Sequence, residues 1–91
     1  MNADDRLNAR QIAFLEAFSN AVSNDLSRSV LVWEIGRKLF WDEDTTRKVM
    51  HNLARRDLIH VAGIGGIYKI TDEGIRVATA SQYRTADNQV T

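Results

Sequence analysis

Ninety-one residues, 44% apolar and 26% charged, make one small domain with a single core. Twelve bases against twelve acids leave no net charge, and the absence of cysteine excludes disulfides and thiolate metal sites. No apolar run reaches the length of a membrane span, and Asp4 and Asp5 stand where a secretory leader would carry bases, so a cytoplasmic protein is expected.

The charge is unevenly spread. Between residues 28 and 70 eight bases face five acids, a mild central surplus of the sign that phosphate attracts. In chain order, Asn8 with Gln11 three residues on predicts a capping box. Ile12, Leu15, Phe18 and Val22 then recur at helical spacing, with Phe14 widening the stripe. Ser19 to Ser29 is largely polar and reads as a helix end and a loop. The run Ser29-Val30-Leu31-Val32 reads either as a short strand or as the start of helix two, which includes Ile35 and Leu39 on one face.

Helix three is the clearest element. Asp42 predicts its N-cap, with Glu43 and Asp44 in the first turn suiting the positive end of the dipole. At 100° per residue Thr46, Val49, Met50 and Leu53 gather on one side. Asp44, Arg47, Lys48, His51 and Arg55 gather on the other, flanked by Thr45 and Asn52. After Asp57 the period becomes two, with Ile59, Val61 and Gly63 pointing one way. Gly65-Gly66 predicts a two-residue hairpin turn that pairs Ile64 with Ile67 and sets Val61, Gly63, Tyr68 and Ile70 on one face. Thr71 caps a last helix running to about Tyr83, and residues from Thr85 onward are expected to fray, as are those before residue 7.

Helix, helix, helix, hairpin, helix is the order of a winged helix-turn-helix. Three further fragments resemble the MarR- and PadR-type regulators: Glu34-Ile35-Gly36-Arg37-Lys38-Leu39, the stretch Asp44 to Ile59, and Tyr68-Lys69-Ile70-Thr71-Asp72-Glu73-Gly74. The opening Leu7-Asn8-Ala9-Arg10-Gln11 is similar to their first core helix. The resemblance implies an α+β fold, mostly α, with a three-helix core, a two-stranded β wing and a C-terminal helix. It further implies a homodimer, joined through the first and last helices, that binds a palindrome in duplex DNA as a transcriptional regulator. Thr45, Thr46, Arg47, Lys48, His51 and Asn52 would then lie nearest the major groove, where Arg and Lys suit guanine and Asn suits adenine. Arg55 would hold the backbone, and Lys69 in the returning strand joins the set. Thr46 alone of these falls on the core side of helix three.

Three departures stand out. Phe40 occupies the bend where these families place glycine, Asp57 occupies the glycine position before Leu58-Ile59, and the wing tip lacks the usual minor-groove arginine. Trp41 is expected in the core, and Trp33, off the Ile35–Leu39 stripe, either against helix one or at an interface. Ile64 and Ile67 point outward without a folding reason. No nucleophile–base pair, phosphate loop or cofactor motif is legible, and His51 with His60 is too few for a closed zinc site, so no enzyme is expected. The rival reading is a winged helix that joins a larger assembly through protein contacts, suggested by the neutral charge, the uncharged tip and the two tryptophans.

Overall fold

The computed structural model describes residues 7–80, so the expectations for the chain termini and for a helix end near Tyr83 lie outside it. Its elements run α1 (Ala9–Val22), β1 (Ser29–Leu31), α2 (Val32–Lys38), α3 (Glu43–Arg55), β2 (Ile59–Gly63) and β3 (Ile67–Ile70). Residues 72–80 form a further helix, α4. The fold is a small, mostly helical α+β domain, and among the described residues no helix is long and apolar enough to cross a membrane.

Side-chain caps fix where α1, α3 and α4 begin, whereas α2 starts after Leu31 without one. At α1 the Asn8 side chain accepts from the Gln11 amide and the Gln11 side chain from the Asn8 amide, both at 2.8 Å, which satisfies two otherwise orphaned donors. Asp42 accepts from the Thr45 amide at 2.8 Å at the start of α3. Thr71 accepts from the Gly74 amide at 3.0 Å at the start of α4.

The helix ends share one hydrogen-bond pattern. At the end of α2 the amide of Phe40 donates to Arg37 and that of Trp41 to Gly36. Ser23 and Asn24 repeat the pair on Asn20 and Ser19, and Asp57 and Leu58 on Ala54 and Leu53. This double closure needs a left-handed residue, and here Ser23, Phe40 and Asp57 take that role at φ 54°, 61° and 61°. Phe40 thus adopts the left-handed backbone conformation that glycine takes most readily.

The sheet has three antiparallel strands in the order β1-β3-β2, the two expected wing strands joined by a third. Ser29-Val30-Leu31 is strand and Val32 opens α2, so the ambiguous run divides between both readings. β3 lies in the centre: Val30 and Val61 both oppose Tyr68, and Ile59 opposes Ile70. The expected pairing of Ile64 with Ile67 does not form. A bulge between Val61 and Gly63 brings Gly63 opposite Ile67 and leaves a three-residue turn, Ile64-Gly65-Gly66. The register differs from the expected one by two residues, which preserves the faces of Ile59, Val61, Tyr68 and Ile70 while moving Gly63 off theirs.

The core joins Phe14, Leu15, Phe18 and Val22 of α1 to Val32 and Ile35 of α2 and to Val49, Met50 and Leu53 of α3. Leu58, Ile59 and Ile70 close it from the sheet side and Ala78 from α4. Ile12 is only half-buried, the inner positions going to Phe14 and Gln11. Trp41, expected in the core, is only half-buried at its edge, stacked on Phe14 with ring centres 6.1 Å apart. Two glycines mark close approaches: a Cβ on Gly36 would overlap the Thr46 side chain, and one on Gly74 would overlap the Leu58 carbonyl.

Candidate functional site

α3 carries a sharp division. Its inner side, Thr46, Val49, Met50 and Leu53, is buried between α1, α2 and the sheet. Its outer side presents Asp44, Arg47, Lys48, His51, Asn52 and Arg55 to solvent, with Thr45 half-buried at the edge. The burial of the inner stripe fixes the rotation of the helix, so the outer side chains form a row along one exposed ridge.

Thr46 does not belong to that row. It is 2% exposed, fills the space left by Gly36 where α2 and α3 cross, and its hydroxyl donates to the Asp42 carbonyl at 2.9 Å. A side chain so enclosed cannot reach a base edge. Lys69 is also apart from the ridge. It lies in the central strand, opposite Ser29 and His60, on the sheet face away from Ile59 and Ile70.

The first half of the ridge is electrically balanced. Arg47 contacts Glu43 at 2.7 Å and Asp44 at 3.6 Å, and Lys48 contacts Asp44 at 3.2 Å. Such exposed pairs contribute about 0–1 kcal/mol each and open readily. Asp42, at the head of the same helix, has its carboxyl held below the usual range by the side-chain and backbone hydrogen bonds from Thr45, with Lys48 and Arg10 adding attraction. The second half of the ridge differs. His51, Asn52 and Arg55 have no acid one turn away on that face, and Arg55 forms no ion pair among the described residues.

Trp33, partly buried against the core, links this ridge to the hairpin. Its indole Nε1 donates to the Gly65 carbonyl at 3.0 Å, and the Arg47 guanidinium lies over its ring, 5.8 Å from the centre. A half-open pocket of about 280 Å³ lies alongside, lined by Trp33, Arg37, Trp41, Glu43 and Thr46. The hairpin contact spans 32 residues of sequence and has no local signal. The ion pairs did have one, since Glu43–Arg47 and Asp44–Lys48 are both four apart on a helix.

No protein-family model matches the chain, and neither the curated proteins nor the solved structures compared with it give a match.

Proposed function

We propose that the chain is a winged helix-turn-helix protein that binds duplex DNA in the cytoplasm, with α3 in the major groove. The observation that carries this reading is the α3 ridge: a row of hydrogen-bonding and cationic side chains held at fixed rotation by a buried stripe behind it. The element order α1-β1-α2-α3-β2-β3-α4, with β3 central, also suits a winged helix.

Arg47, Lys48, His51 and Asn52 are the side chains for base edges, with Thr45 beside them and Arg55 for phosphate. Thr46 drops out because it is buried, and Lys69 because it lies on the far face of the sheet. Asp44 on the ridge and Glu43 beside it offset the cations and repel phosphate, so binding to unselected DNA is weak and its salt slope shallow. Two copies joined through α1 and α4 would read a palindrome, acting as a regulator by occupying a promoter.

The test is a titration on a duplex selected from a random pool and on a scrambled one, at several salt concentrations. Arg55→Ala is expected to weaken both alike and lower the salt slope by about one. Arg47→Ala is expected to cost about 1–3 kcal/mol on the selected duplex only. A parent protein that retains no duplex even at low salt overturns the reading and moves the function to a protein-binding module, for which the acids at the head of α3 and the exposed Phe40 are the favouring features.

A further inference from the structure

We infer that Ile64 is an apolar wedge that enters the minor groove next to the α3 site and opens a base step there, an inference that rests on the DNA reading above. Ile64 is 99% exposed, and nothing in the fold uses its side chain. It stands alone: its neighbours in the loop are Gly63, Gly65 and Gly66, and a Cβ on Gly65 would meet nothing within 4 Å. The tip is therefore a bare backbone turn bearing one branched side chain. Only that side chain, not the turn behind it, has to enter a groove about 6 Å wide.

The tip is also held in place. The Gly65 carbonyl accepts from Trp33 Nε1 at 3.0 Å and the Gly66 carbonyl from the Val32 amide at 2.9 Å. Gly66 has no room for a side chain because the Trp33 indole fills the space. Two successive carbonyls tied to the first turn of α2 order the loop before any ligand arrives, so little freedom is lost on contact. Trp33 also sets the tip beside the ridge, since the other partner of its ring is Arg47. One indole separates the loop from α3, so a duplex seated on α3 presents its flanking minor groove to Ile64.

Residues 61–68 carry no charged side chain, so the tip cannot clamp phosphate electrostatically. An apolar side chain in a minor groove gains most by sliding between two base pairs, which unstacks them and bends the duplex toward the major groove. Pyrimidine–purine steps yield most easily, so such a step is expected at a fixed distance from the α3 site.

The experiment uses the whole chain on the selected duplex, labelled at both ends for energy transfer and carrying 2-aminopurine at the candidate step. Parent protein is expected to bend the duplex by roughly 20–90° and to brighten the 2-aminopurine. Ile64→Ala is expected to bind about tenfold more weakly, without bend or brightening, and to melt as the parent does. Ile64→Arg is expected to recover affinity through charge while leaving the duplex straight. Binding by the parent without a bend, or an unchanged bend with Ile64→Ala, overturns the wedge and leaves the α3 reading intact. A parent that binds no duplex removes both, and a partner protein then becomes the occupant of the tip.

Discussion

The chain enters the left-handed backbone region in two kinds of place, and it fills them with opposite residues. At the hairpin tip the positions are glycines, Gly65 at φ 84° and Gly66 at φ 97°. At the helix ends they are Ser23 with Asn24 beside it, Phe40 and Asp57, at φ 54–61°. The difference lies in what holds each conformation. A helix end is closed by two amides bonding back to carbonyls of the last turn, and Phe40 supplies one of them while its neighbour Trp41 supplies the other. Those bonds, with Trp41 stacked behind on Phe14, compensate a conformation that costs a side chain about 1–2 kcal/mol. The hairpin tip has less local closure and wider φ values, and at Gly66 the Trp33 indole leaves no space for a side chain. Hydrogen bonding decides where the backbone turns left-handed; the φ value disfavours a side chain at both tip positions, and the Trp33 indole adds a second bar at Gly66 alone.

The largest effect that would sharpen this comparison comes from the two tip glycines. Gly66→Ala adds φ strain and overlap with Trp33, each about 1–3 kcal/mol, so a loss of roughly 2–6 kcal/mol is expected. Gly65→Ala adds strain alone, about 1–2 kcal/mol, because its Cβ meets open space. Denaturant unfolding of the two variants measures the gap, and equal losses would mean that Trp33 does not hold the tip.

The next effect has the opposite sign. Phe40 is 97% exposed, so Phe40→Gly removes strain and no packing. After allowing for the greater freedom of unfolded glycine, a gain of about 0.5–1 kcal/mol is expected in the same assay. Destabilisation would place the Phe40 ring in a contact of its own. Asp57→Gly is expected to gain only a few tenths of a kcal/mol, since Asp tolerates this region better than Phe.

The smallest effect is at a helix start. The Asp42 carboxyl has a lowered pKa in the folded chain, so its contribution to stability is complete above the unfolded Asp range, near pH 4, and is lost as pH falls through the folded value below it. Asp42→Asn keeps an acceptor for the Thr45 amide but has no proton to gain. Melting temperature followed from neutral pH into acid is expected to fall less steeply for this variant than for the parent. Parallel curves would detach the cap from the titration.

The same contrast explains what the sequence made legible. Three of the helix starts announce themselves, because Asn8, Asp42 and Thr71 cap with side chains at fixed spacing from the amides they accept, while α2 begins uncapped. Helix ends were less plain, because backbone bonds close them and no glycine marks the spot. The inner and outer sides of α3 could be read from periodicity alone, since four apolar or small residues at helical spacing leave one rotation. The hairpin register could not, for the bulge passes at Ala62, a residue with no preference for one. β1 was undecidable locally: Ser29 to Leu31 becomes strand only because β3, nearly forty residues on, pairs with it. The candidate ridge was visible as a set of residues, whereas its tie through Trp33 to the hairpin depends on a long-range contact.

The central place of β3 also sets an order of events during synthesis. Neither β1 nor β2 pairs with the other, and both find their partner only in Ile67–Ile70. A nascent chain that has released α1, α2 and α3 can bring helix against helix, but it holds Ser29–Leu31 as an unmatched edge until the last strand emerges. The first turn of α2 waits as well, because Val32 and Trp33 bond to the glycines just before that strand. The β2–β3 hairpin is local and can close as soon as β3 emerges, whereas β1 must find the same strand across nearly forty residues, so the sheet is complete only once that one segment is out.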